Sequence, residues 1–172
     1  MVVFSKIMPL AAALLFMTAS AVAAGPDGSP AAEARRLILD GKADCVVVTG
    51  GEMRTGRGRG VSPLLAFHDR GAGVLRGATV VDKVIGRAAA AILISGGARS
   101  VHGLTMSADG KAYLEAHGIA ASCDRLVPRI LNADRTGLCP LEQAVAGKEK
   151  PEEALAALRL KIEELRAAAK RK

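Results

Sequence analysis

The chain has 172 residues, 50% of them hydrophobic, 24% charged and 2% aromatic, with 24 Lys plus Arg against 17 Asp plus Glu. That much apolar content excludes a disordered chain, and only 3 Cys exclude a disulfide-dense scaffold. A net charge of +7 invites anionic partners, but too few aromatic rings are present to stack bases, so no nucleic-acid partner is expected.

Residues 1–24 have the pattern of a secretory signal peptide: Lys6, an apolar run from Ile7 to Met17, then small residues to Ala24. The run is short for a membrane span and Pro9 interrupts it. Cleavage and export to the periplasm or beyond are therefore expected, with membrane contact only through an uncleaved signal. Export leaves three cysteines in an oxidising compartment, so one pair with one free thiol, or no pair at all, is open. Cys45 and Cys123 lie in apolar, strand-like runs and read as buried, inert thiols.

Residues 25–30 form a breaker-rich linker, and an α/β domain is expected over 31–150. Residues 31–40 read as a helix closed by Gly41, and residues 44–49, with Cys45-Val46-Val47-Val48, as a buried strand. Gly50-Gly51 signals a hairpin into a returning strand from Glu52 to Arg57. The Gly56–Gly60 stretch is irregular, and Ser62-Pro63 opens a helix that Gly71 ends. A third strand is expected over 77–81, after which Asp82 opens a helix running to about Ile94. A strand over 100–105, a helix over 107–117 and a strand over 119–123 follow. Residues 128–137 read as an ordered loop, and Cys139-Pro140-Leu141-Glu142 starts a short helix. Residues 151–172 form a final amphipathic helix with a basic tail, its stripe made by Leu155, Leu158, Ile162 and Leu165. Strands alternating with helices imply an α/β/α sandwich around one mixed sheet of about five strands.

Three places carry chemistry. Asp82, at the expected strand-to-helix junction, is either a structural cap or part of a site, since α/β folds place ligands at such junctions. Lys83 and Arg87, one helical turn apart in that reading, would rim the helix N-terminus for an anion or form a solvated basic face. Gly86 inside a helix costs about 1 kcal/mol and signals close approach by a backbone or a ligand. Arg59, in the run Gly56-Arg57-Gly58-Arg59-Gly60, could accompany an anion held by backbone N–H groups or simply sit in a turn. Asn132, Asp134, Thr136, Gly137, Cys139 and Glu142 make the densest polar cluster. A helix N-terminus favours a Cys139 thiolate while Glu142 opposes it, and no His is close in sequence to activate it. The catalytic candidates are Asp82, Lys83 and Cys139. His68, His102 and His117 lack metal-ligand spacing, so no metal and no cofactor are expected.

The runs Arg59 to Leu65, Val81 to Ala90, Leu126 to Pro128 and Asn132 to Glu142 resemble an uncharacterised bacterial and archaeal family of unknown function with a cytidine-deaminase-like fold. The resemblance spans residues 31–160 and implies a three-layer α/β/α domain. It sets the zinc-deaminase H-x-E or C-x-E motif at Asp82-Lys83-Val84 and the P-C-x-x-C motif at Thr105 to Asp109, where neither is present. Zinc-activated water needs three ligands and a general-acid Glu, so zinc deamination is disfavoured. The expectation is a site without zinc for a small anionic or nucleotide-like ligand. Asp82, Lys83 and Arg87 would face the Asn132 to Glu142 loop, with Asp82 and Cys139 near one another across a cleft and Arg59 a further ligand-binding residue. The alternative is a non-enzymatic periplasmic binding or interaction domain, and either reading leaves room for a homo-oligomer.

Overall fold

In the computed structural model, residues 28–71 and 73–171 are described. The signal peptide, its cleavage point and most of the linker lie outside them. The chain runs α1 (Pro30–Leu39), β1 (Cys45–Thr49), β2 (Glu52–Gly56), α2 (Ser62–Asp69), β3 (Thr79–Ile85), α3 (Arg87–Ser95), β4 (Ser100–Ser107), α4 (Ala108–Ala116), β5 (Ala120–Val127), α5 (Pro140–Val145) and α6 (Pro151–Lys170). The five strands form one mixed sheet, in the order β2-β1-β3-β4-β5. β1 is antiparallel to β2 and β3, whereas β3, β4 and β5 run parallel.

Local chemistry explains most element boundaries. Ser29 caps α1, its Oγ accepting from Ala32 N–H, and Pro30 takes the first helical position. Gly50 and Gly51 both have positive φ, 57° and 81°, as the tight hairpin between β1 and β2 requires. Ser107 ends β4 and caps α4 through Gly110 N–H.

The sheet is covered unequally. On one face α2 to α6 close the main core, with Leu64, Phe67, Ile92, Leu93, Leu114 and Leu158 packed over Val47, Val80 and Val101. On the other face, among the described residues, α1 packs Ala34 and Ile38 on Val46 and Val81. Two parallel strand–helix–strand units, β3-α3-β4 and β4-α4-β5, put their strand C-termini at one edge of the sheet. That edge is where an α/β sheet offers helix N-termini to a ligand.

The structure corrects the expected β3–α3 boundary. Asp82 does not open a helix; β3 continues to Ile85, and Gly86 is the N-cap of α3. The parallel ladder to β4, with Asp82 opposite Gly103 and Ile85 opposite Met106, carries the strand past the point where Asp82 suggests a cap. The neighbouring β4–β5 ladder likewise carries β4 to Ser107 and β5 to Val127. Lys83 and Arg87 therefore do not share a helix face, and Gly86 is not interior to a helix.

Candidate functional site

At the C-terminal end of β3, Gly86 delivers the chain into α3, whose first N–H groups lack intrahelical partners. Glu142, from α5, fills that place. Its carboxylate accepts from Arg87 N–H at 2.8 Å and Ala88 N–H at 3.0 Å. Burial pushes the Glu142 carboxyl up, while these two bonds pull it back. Gly86 is required for the approach, since a Cβ there would lie 2.5 Å from Glu142 Oε1. On the other side Gly110 of α4 presses on Gly86, where an added Cβ would lie 2.7 Å from the Gly86 carbonyl carbon. The close approach signalled by Gly86 is thus met twice, by a carboxylate and by another glycine.

Arg87 is 7% exposed and turned inward. Its guanidinium sits 4.0 Å over the Tyr113 ring and bonds Asp109, the Lys148 carbonyl and Glu149. Its Nε is buried without a hydrogen-bond partner. Arg87 clamps α3 to α4 and to the segment before α6, so the cationic rim expected of it is committed to the protein's own groups.

Asp82 lies next to this junction in the sheet, opposite Cys45 of β1. It is 5% exposed, and burial raises its carboxyl to about 7. Hydrogen bonds from Val84 N–H (3.0 Å to Oδ1) and the Cys45 thiol oppose the shift. Burial and the nearby Asp82 push the Cys45 thiol well up, which keeps it protonated. Lys83 points the other way along the strand and pairs with Asp44. Asp44 also accepts from Gly58 N–H at 2.9 Å, which ties the Gly56–Gly60 loop to the end of β3. Lys83, Gly58 N–H and Arg57 together hold the Asp44 carboxyl below its ordinary value. Arg57 and Arg59 are exposed, and among the described residues neither guanidinium bonds a carboxylate. Sequence reasoning missed Asp44, whose only signal was its place at the start of a buried strand.

The Asn132 to Gly137 segment is a self-contained turn. Asn132 bonds Thr136 and accepts from Gly137 N–H, and Asp134 accepts from Thr136. A bridge between Leu131 and Leu138 closes it. Cys139 occupies the N-cap position of α5 without a side-chain cap bond. All three cysteines are free thiols. The structure joins Glu142 to Arg87 and Ala88, and Lys83 through Asp44 to the glycine loop; among the described residues no hydrogen bond or ion pair joins Asp82 to Cys139.

A second polar group, unforeseen in the sequence, lies on the α1 face. His102 bridges Ser122 (2.9 Å) and Asp124 (3.1 Å), and Arg35 grips Asp124 with two nitrogens. The two-residue step from Ser122 to Asp124 was the available signal, but pairing with His102 needed the β4–β5 register. The row pins α1 to the sheet. Surface depressions occur beside the β1–β2 hairpin, around Arg54 and Arg70, and between α2 and α6, around Leu65 and Arg159. Neither includes Asp82 or Cys139. Among the described residues no group of three or more His, Cys, Asp or Glu could hold a metal ion, and no helix is long and apolar enough to cross a membrane.

A family model described as a domain of unknown function (DUF1893), TM1506, matches residues 33–162. Among solved structures, a DUF1893 family protein (TM1506) from Thermotoga maritima superposes with a TM-score of 0.68 at 24% identity, covering 75% of this chain and 87% of that one. That likeness is one of fold. No curated protein matches.

Proposed function

The chain belongs to the DUF1893 family, and from its geometry we propose that it binds a small anionic, nucleotide-like ligand where the Gly56–Gly60 loop meets the end of β3. One observation carries this reading. Asp44 holds the loop through Gly58 N–H and holds Lys83 at the same carboxylate, with Arg57 beside it. A single carboxylate thus gathers cations that outnumber it, and Arg59 rides on the same short loop. Flexible glycines let backbone N–H groups approach an anion, and guanidinium groups suit phosphate oxygens.

The cytidine-deaminase-like ancestry that the sequence resembles belongs to the same proposal, without zinc deamination. The α3 start reads Gly86-Arg87-Ala88 and the α4 start Ser107-Ala108-Asp109, with no His or Cys to ligate zinc. In this reading the protein is exported, on the strength of residues 1–24. A second reading, a non-enzymatic interaction domain, is favoured by the uncovered edge of β5.

Isothermal titration of the purified protein with inorganic pyrophosphate and with a nucleoside monophosphate tests the ligand. Saturable binding is expected, weakened about tenfold or more, some 1.4 kcal/mol, by Arg59→Ala with Lys83→Ala. Absence of binding, or binding indifferent to both substitutions, would reject the site.

A further inference from the structure

β5 is the outer strand of the sheet, and five of its eight residues are exposed. Apart from Ala120 N–H to the Arg99 carbonyl, among the described residues no backbone hydrogen bond beyond the β4 ladder reaches it. One side of a long strand therefore presents unpaired amides and carbonyls, a template for another strand. Pro128 follows the strand rather than interrupting it. Leu126 and Leu131, 54% and 43% exposed, add apolar surface at and just beyond its end.

The β5 sequence is complementary to itself in one alignment. In an antiparallel pair about a two-fold axis normal to the sheet, opposed residues share a face, so the axis passes through a residue. An axis at Asp124 opposes two carboxylates, and one at Arg125 opposes two guanidinium groups. An axis at Ser122 leaves only Ala120 to Asp124 paired. An axis at Cys123 pairs Ala120 to Leu126, with Ser122 opposite Asp124, Ala121 opposite Arg125 and Ala120 opposite Leu126. That alignment opposes no like charges, sets a hydroxyl against a carboxylate, and matches apolar residues at both ends of the seam.

We propose that β5 pairs antiparallel with β5 of a second copy of this chain, with Cys123 on the two-fold axis. The sheets of the two copies then run on as one, and neither keeps its exposed β5 edge. The Cα atoms of the two Cys123 residues come within about 4.5–5.5 Å, inside disulfide reach.

Sedimentation at high micromolar concentration reads the assembly, and two charge patterns read its register. The purified protein should be a dimer. Ala120→Lys with Leu126→Lys opposes lysines at both ends of the seam and should give a monomer. Ala120→Lys with Leu126→Glu opposes lysine with glutamate and should restore the dimer. Circular dichroism checks that both variants keep the fold, since both positions are exposed. Independently, diamide should link the dimer of the Cys139→Ser variant, taking up the two thiol hydrogens as the S–S bond forms. It should not link the Cys123→Ser variant. A monomeric parent protein, a dimer unmoved by the lysine pair, a charge-swapped pair that stays monomeric, or a dimer that diamide cannot link through Cys123 would each overturn the proposal.

Discussion

Glu142 caps α3 from another helix, and it does so only because residue 86 has no side chain. Removing the carboxylate in Glu142→Ala leaves two N–H groups short of an acceptor in a partly buried place, and should cost about 1–3 kcal/mol. Gly86→Ala should cost a similar amount, because its Cβ would lie 2.5 Å from Glu142 Oε1 and can be accommodated only by expelling that carboxylate. The two changes should therefore fall well short of additive in urea denaturation, since each removes the same pair of bonds. Full additivity would mean that the methyl group added at position 86 meets something other than Glu142. Asp82 makes a second prediction, in pH. Its carboxyl titrates at about 7 in the folded protein and at about 3.9 in an unfolded chain. Between those values the unfolded chain has lost the proton that the folded protein keeps. The folded state binds more protons, so this group's contribution to stability falls as pH rises from about 4 to about 7. Asp82→Asn retains a carbonyl oxygen for Val84 N–H and cannot ionise. Thermal melts across that window should lose the Asp82 component, leaving the variant more stable than the parent above pH 7, by on the order of a few kcal/mol. A variant that tracks the parent at every pH would place the titration elsewhere.

Among the elements, α6 divides into two halves. Ala154, Leu155 and Leu158 are buried against α3 and α5, Ile162 is partly buried, and Leu165 is 42% exposed. The stripe visible in the sequence is thus continuous in pattern but not in burial, because the core ends before the helix does. Leu158→Ala should cost about 2–5 kcal/mol by opening a cavity, whereas Leu165→Ala should stay within about 0.5 kcal/mol. Chemical denaturation of both variants checks the contrast; equal losses would mean that the distal half packs on something as well. The ion pair between Arg159 and Asp69 ties the middle of α6 to α2, and its exposure keeps its contribution small. Strands show the opposite mismatch. β3, β4 and β5 each run several residues beyond their apolar runs, because the parallel ladders between them continue that far.

Over the whole molecule, the sequence by itself determined the alternation of strands and helices, the hairpin at Gly50-Gly51 and the starts of α2 and α6 at their proline-bearing first turns. Each of these rests on a short-range cause: a glycine that accepts positive φ, or a proline at a first helical turn. It also showed that Gly86 must allow a close approach and that residues 128–137 form an ordered loop. Asp82 reads as a helix start in the sequence because Asp favours both caps and strand-end turns, and only the ladder to β4 shows that it lies within a strand. The partners that matter at the candidate site are far apart in the chain: Glu142 with Arg87, Asp44 with Lys83, Cys45 with Asp82, Arg35 with Asp124. No periodicity encodes such pairs. They exist because the order β2-β1-β3-β4-β5 sets β1 beside β3 and because α5 folds back over the start of α3. Tertiary structure alone decided that Arg87 faces inward while Lys83 faces the glycine loop, since burial of a charge is settled by the groups that come to surround it.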